Sequence, residues 1–308
     1  MWTADEIPDQ RGRVALVTGA NSGLGFEIAR QFARKGARVL LAARDPVKGE
    51  HARHAIAAEL PSAELETREL DLASLESVRA CAEGIVADHR RIDLLVNNAG
   101  IMAVPERETE DGFELQLGVN HLGHFVLTAR LLPLLVATPS ARIVSVTSVA
   151  RFVGPSVSAA NPHLRGRYEA WLAYGRAKRA NLHFGTELQR RLEDARAGAQ
   201  SLVAHPGLSA TGLQERSVVN SGGGLSQRFF HAAARYTGMA PERAALPVLR
   251  AATDPSARPG RLYGPRWGTV GAPVGKPLRT GPRSRRAARV LWKVSERETR
   301  EKVAVDVL

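Results

Sequence analysis

Between Arg13 and His205, short unbroken apolar runs alternate with longer stretches in which apolar residues recur every three or four positions. The short runs have strand length and the longer ones helix periodicity. Residues 13–19 read as a buried strand ending in a Gly turn, and Gly25 to Lys35 as a helix stopped by Gly36. Arg38 to Ala43 is a second strand and Pro46 to Leu60 a second helix, closed by Pro61. Leu65 to Leu70 and Leu75 to His89 form the next such pair, and Ile92 to Val96 runs as a strand into Asn97-Asn98-Ala99-Gly100. A helix over Phe113 to Val136, a strand over Arg142 to Val146, a helix over Trp171 to Arg191 and a strand over Ser201 to His205 complete the series. Strands apolar on both faces, each followed by a helix, predict a doubly wound parallel sheet covered on both sides. Right-handed crossovers then place ligands at the carboxyl ends of the strands.

Beyond Pro206 the pattern weakens. Ser217 to Gly224 is polar and Gly-rich, Leu225 to Tyr236 has amphipathic spacing, and Pro241 to Ala252 reads as a helix. Gly260 to Pro277 is crowded with Gly and Pro and predicts loop, with at most a short strand at Leu262-Tyr263. Arg286 to Val303 predicts a basic terminal helix. One domain over residues 1–308 is expected. Its core is 13–207, residues 208–240 form a substrate lid, and 276–308 are a basic extension.

Composition narrows the class. Apolar residues make up 44% of the 308 and charged residues 24%, as in soluble proteins. Cys81 is the single cysteine, which excludes an intrachain disulfide and fits a reducing cytoplasm. Its expected role is packing within a helix, with a reactive thiol as the alternative. The N-terminus carries acid where a signal peptide needs base. The apolar stretch from Leu131 to Ala137 is broken by Pro133 and too short for a bilayer, so a soluble, cytoplasmic protein with no integral membrane segment is expected. The formal charge is +12. Half of it lies in residues 276–308, where ten Lys/Arg face four acids. A basic tail can meet nucleic acid or an anionic membrane. With no zinc-ligand spacing or aromatic-basic motif, a solvated surface without nucleic acid is the plainer reading.

Two constellations carry chemistry. Thr18-Gly19-Ala20-Asn21-Ser22-Gly23-Leu24-Gly25 follows a strand and opens a helix, the context a dinucleotide cradle requires. Gly19 permits the turn, Gly23 close approach of backbone to a pyrophosphate, and Gly25 close packing at a helix N-terminus of positive potential. An ordinary strand-to-helix turn is the competing reading. Ala43 stands at the end of the second strand where an NAD site usually has an acid, and Arg44 follows. A guanidinium suits a 2′-phosphate, which favours NADP(H) over NAD(H). Asp45 complicates this but can cap the next helix. Farther on, Tyr174 and Lys178 are four apart and share a helix face. A cation beside a phenol predicts a lowered phenol pKa and a usable acid/base.

With these motifs the chain resembles the short-chain dehydrogenase/reductase family from about Arg13 to Leu213, with a single-domain Rossmann-type fold. The resemblance rests on the Gly-rich loop, Asp71-Leu72, Asn97-Asn98-Ala99-Gly100, Asn120, Ser148, Tyr174 with Lys178, and His205-Pro206-Gly207. Leu41-Ala42-Ala43-Arg44-Asp45, Asn120-His121-Leu122-Gly123-His124-Phe125 and Thr211 are similar to its retinol-dehydrogenase-like and WW-domain-oxidoreductase-like branch. Branch membership implies NADP(H) and a carbonyl or alcohol substrate, often lipophilic. The resemblance implies Tyr174 as general acid for reduction and Lys178 as ligand of the nicotinamide ribose. It implies Ser148 at the substrate oxygen and Asn120 in a water-mediated proton relay. Asp71 and Leu72 would contact adenine, Asn98, Ala99 and Gly100 would border the cofactor, and Pro206, Gly207 and Thr211 would border the nicotinamide. Asn21, Ser22 and Leu24 belong to the same cradle. It also implies a homo-oligomer, dimer or tetramer, through the Phe113–Val136 and Trp171–Arg191 helices.

Several residues have duller competitors. Tyr168 is a rival phenol, but Leu172 stands where its lysine belongs. Asn120 can merely cap or bend its helix. His121 and His124 are i,i+3, yet no carboxylate or Cys completes a metal set, so packing is expected and no metal. Ser148 and Tyr174 are 26 apart, about double the family's usual spacing, and the insert Arg151 to Ala170 predicts a surface loop. A non-catalytic NADP(H)-binding regulatory protein is the alternative to an enzyme, and the intact Ser148/Tyr174/Lys178 set argues against it.

Overall fold

The computed structural model describes residues 2–208, 239–278 and 280–303. Its strands are β1 (Val14–Thr18), β2 (Arg38–Ala43), β3 (Leu65–Glu69), β4 (Leu94–Asn97), β5 (Arg142–Val146), β6 (Gln200–Ala204), β7 (Arg261–Pro265) and β8 (Pro273–Pro277). They form one sheet in the order β3-β2-β1-β4-β5-β6-β7-β8. β1 to β7 run parallel, and β8 pairs antiparallel with β7. The order reverses between β1 and β4, the switch point at which a doubly wound sheet opens a crevice.

Helices cover both faces. α1 (Gly23–Arg34), α2 (Pro46–Glu59) and α7 (Pro241–Thr253) pack one side around Ile28, Phe32, Ile56 and Val248. α3 (Leu75–Asp88), α5 (Gly123–Ala137), α6 (Ala170–Asp194) and α8 (Pro282–Thr299) pack the other around Ile85, Phe125, Phe184 and Trp292. The central strands β1, β4 and most of β5 are buried along their length, which is why they read as continuous apolar runs. The lid expected over residues 208–240, including the Leu225 to Tyr236 helix, lies almost wholly outside the described residues.

Two expectations need correction. Gly260 to Pro277 is a β-hairpin and not a loop, because β7 adds to the edge of β6 through Val203–Leu262 and Ala204–Tyr263. An edge strand tolerates the prolines at both ends of β8, which suppress the propensity signal. The apolar stretch around Pro133 is not too short for a bilayer, because Pro133 lies inside the helix expected over Phe113 to Val136. Leu115–Ala137 is a continuous helical stretch, made of α4 (Leu115–Leu117), a π turn at Gly118–Leu122, and α5. Its 23 residues are long and apolar enough to cross a bilayer by length and composition, but 67% of its most apolar window is buried in the protein. The insert Arg151 to Ala170 is the surface loop expected, but it is docked at Gly154. A Cβ at Gly154 would stand 1.9 Å from the Arg176 nitrogen, so its backbone lies directly on α6.

The helix pair expected at a subunit interface is partly covered from within the chain. Trp292 of α8 meets Phe125 and Phe184, with ring centroids 5.4 and 5.9 Å away, and the Arg191 guanidinium sits 4.1 Å over its indole. Glu298 accepts from His163 Nε2 at 2.9 Å, and Glu301 pairs with Arg79 and Arg130.

Candidate active site

The parallel strands deliver their following residues to one edge of the sheet. Gly19 leaves β1, Arg44 leaves β2, Asp71 and Leu72 leave β3, Asn98 to Gly100 leave β4, Ser148 leaves β5, and Pro206 and Gly207 leave β6. Residues as far apart in sequence as Gly19 and Gly207 thus face one crevice; Thr211 lies outside the described residues.

The cradle at β1 is tightly built. Gly19 and Gly23 have φ of 67° and 54°, conformations that favour glycine. A Cβ at Gly25 would sit 2.2 Å from the Gly19 carbonyl and 2.6 Å from Asn98 Nδ2, so only hydrogen fits. Ser22 is the N-cap of α1, whose first turn holds Gly23, Leu24 and Gly25, with Asn21 just before it. This arrangement fits a dinucleotide pyrophosphate: a helix N-terminus faces a turn stripped of side chains. Arg44 is exposed beyond β2 and has no ion pair among the described residues. Asp45 is committed elsewhere: it caps α2 by accepting from the Lys48 backbone at 3.1 Å.

Asp71 steadies the β3 exit, accepting from the Ala73 backbone at 2.9 Å, and Leu72 packs against Gly123 of α5. Asn98 Nδ2 donates to the Thr18 carbonyl at 2.8 Å and pins β4 to β1. Asn120 lies in the π turn. Its Oδ1 accepts from Ile101 N at 2.8 Å and its Nδ2 donates to Ile101 O at 2.9 Å. A Cβ at Gly100 would fall 2.6 Å from Asn120 Oδ1 and 3.2 Å from Lys178 Nζ. Gly100 is therefore the gap through which Asn120 and the ammonium approach one another.

Tyr174 and Lys178 occupy the start of α6, and both are buried. The Tyr174 side chain lies beside Ser148, whose Oγ accepts from the Ala150 backbone at 3.2 Å. Lys178 Nζ donates to the Val146 carbonyl at 3.4 Å and lies 5.9 Å from the Tyr174 ring centroid. Burial pushes the phenol up to about 12, with the Ser148 hydroxyl opposing the upward shift, and pushes Lys178 down to about 8. The expected lowering of the phenol by the ammonium is not among the causes acting here; desolvation penalises both charged forms. Near neutral pH the phenol carries its proton. Tyr168 is not a rival: its hydroxyl donates to Val104 O at 2.6 Å and accepts from Gln116. Thr147 points away from the crevice, donating to the Lys178 carbonyl at 2.5 Å.

Sequence reading missed the supports. Gly175, between Tyr174 and Arg176, has no room for a Cβ, which would stand 2.6 Å from both Ala150 O and Gly154 N. Arg176 is almost fully buried against Glu114, N to O 3.6 Å. The paired glycines of the insert and of α6 were the available signal. Cys81 is buried, with its thiol pushed up to about 11 by desolvation, so it is unreactive. Among the described residues no group of three or more His, Cys, Asp or Glu is placed to hold a metal.

The short chain dehydrogenase family model matches residues 13–220, and the chain belongs to that family. It is 42% identical to retinol dehydrogenase 12 of Mus musculus over 206 residues, 67% of this chain and 64% of that protein. The match therefore spans less than two thirds of the relative. Among solved structures, an uncharacterized protein of Mycobacterium paratuberculosis is 40% identical and superposes with a TM-score of 0.78 over 98% of both chains. A metagenomic short-chain oxidoreductase in complex with NADP is 28% identical, with a TM-score of 0.53 over 65% of this chain and 84% of the other. The chain falls in the retinol-dehydrogenase-like branch of that family.

Proposed function

We propose that the chain is an NADP(H)-dependent oxidoreductase that moves hydride between nicotinamide and the carbonyl or alcohol carbon of a lipophilic small molecule. The observation that carries this is the buried Tyr174 phenol beside Ser148 at the end of β5, with the buried Lys178 one turn along α6. The bound dihydronicotinamide supplies the hydride. As negative charge grows on the substrate oxygen, the two hydroxyls donate to it and lower the barrier. Tyr174 Oη then gives up its proton to that oxygen, and Lys178, with Asn120 beside it, supplies the replacement. Gly19, Asn21 to Gly25, Asp71, Leu72, Asn98 to Gly100, Pro206, Gly207 and Thr211 would hold the cofactor.

Arg44, exposed and unpaired among the described residues, supports the 2′-phosphate assignment. Two observations support an apolar substrate. Phe152 and Val153, just after Ser148, are 72% and 61% exposed. The relatives also bear names of enzymes for retinol, a lipophilic alcohol. The buried position of Leu115–Ala137 supports a core role over a bilayer span, and we read the compartment as cytoplasmic. A homo-oligomer through α5 and α6 must use surface that α8 leaves open; light scattering on the purified chain measures that directly.

The test is NADPH consumption across aldehydes, ketones, quinones and steroid-like carbonyls, with wild type and Tyr174→Phe. Turnover of at least one carbonyl by wild type is expected, falling about 10²-fold or more in the variant. Undiminished turnover in Tyr174→Phe would refute the acid assignment. NADPH binding without any turnover would favour the regulatory protein.

A further inference from the structure

The hydrogen bonds around His124 have determined directions. The Thr18 hydroxyl oxygen accepts from the backbone N–H groups of Asn98 and Ala99, each at 2.9 Å. Its own proton points to His124 Nε2 at 2.9 Å, nearer than the Val96 carbonyl at 3.4 Å. A ring nitrogen that accepts is unprotonated, so the neutral imidazole carries its hydrogen on Nδ1. Nδ1 faces the Asn120 carbonyl oxygen at 3.1 Å, an atom that can only accept. The other tautomer would set a lone pair against that oxygen and crowd a third N–H onto Thr18. Burial pushes the ring down to about 4, and the Lys178 charge acts in the same direction, so it is neutral near pH 7.

This bonded series joins three pieces of the crevice floor that are distant in sequence. Thr18 ends β1 and leads into the cradle, and Asn98 and Ala99 leave β4. Asn120 sits in the π turn, where the helical ladder changes register and frequently marks a functional site. Its side chain grips Ile101, and Lys178 Nζ lies across Gly100 from it. We propose that His124, as the neutral Nδ1–H tautomer, is a positioning residue that holds the Asn120 turn and the β4 exit in register with Lys178. Its kinetic consequence rests on the oxidoreductase reading above; its tautomer does not.

Side-chain 15N NMR of the full-length protein tests the tautomer without requiring any variant to fold. One buried ring should be protonated at Nδ1 alone and stay unchanged down to about pH 5. A His124 ring protonated at Nε2, or titrating above that pH, overturns the proposal. In His124→Phe, amide exchange at Asn98, Ala99 and Ile101 should accelerate at least about tenfold relative to Val144 in β5. Equal exchange at all four overturns it. For turnover, His124→Phe should cut kcat about 10- to 100-fold while the NADPH KM stays within about threefold. His124→Asn, which can present an N–H near the place of Nδ1, should recover part of that loss. Unchanged kcat in His124→Phe, or kcat and KM worsening together with no recovery in His124→Asn, overturns the positioning role. A wild type without carbonyl turnover defeats the oxidoreductase reading instead, and the NMR and exchange results then decide His124 alone.

Discussion

At the residue scale, Arg44 and Asp45 show how neighbours divide two tasks. Asp45 is taken up in capping α2, accepting from the Lys48 backbone and pairing with its ammonium at 3.2 Å. A carboxylate so engaged is poorly placed to hold a ribose hydroxyl, whereas the Arg44 guanidinium is exposed at the same strand end. Arg44→Ala should therefore weaken NADPH binding about 10- to 100-fold, the scale of a charged hydrogen-bonded pair, and leave NADH within about twofold. Fluorescence titration with both nucleotides checks this, and equal losses would remove the 2′-phosphate role. Tyr174 teaches a different point. Spacing alone placed an ammonium beside the phenol, but the sign of the pKa shift depended on how deeply both were buried, which no spacing reveals.

At the element scale, the insert and α6 are locked by two glycines. Gly154 rests on the backbone of Arg176, and Gly175 rests on Ala150 and Gly154. These contacts set where the first turns of α6 lie, and hence where Tyr174 meets Ser148. Gly154→Ala should lower Tm and cut kcat about tenfold or more, since a small displacement of a reacting group is costly. Gly198→Ala, whose added methyl meets nothing within 4 Å, should be silent by both measures. The helices and parallel strands of the core were legible because burial on both faces forces unbroken apolar runs. The π turn, the β7–β8 hairpin and the docking of the insert were not. Each depends on partners outside its own segment, and Pro273, Pro277 and Gly154 carry local preferences that argue against order.

At the scale of the whole molecule, four histidines are buried without charge. Burial lowers His121 and His205 to about 3 and His124 and His183 to about 4. Between those values and about 6.5 the unfolded chain binds protons that the folded chain refuses. Their contribution is therefore complete above about pH 6.5 and is lost as pH falls toward 4. Denaturant midpoints should fall steeply across that window, and His121→Phe should flatten the slope. A midpoint insensitive to pH over that range would contradict the burial of these rings. His121 also touches Ser295 of α8 at 2.7 Å, so the loss should include detachment of the terminal helix, readable in Trp292 fluorescence.

The alternation of apolar runs and helical periods determined the layered α/β class and the side of the sheet that carries ligands. Those outcomes follow from local periodicity and the handedness of crossovers, both properties of short segments. Tertiary structure alone decided that Tyr174 keeps its proton and that the Asn120 turn is π-wound and tied to Thr18 through His124. It also decided that α8 lies over α5 and α6. These depend on desolvation and on contacts between segments more than a hundred residues apart, where no local pattern carries the information.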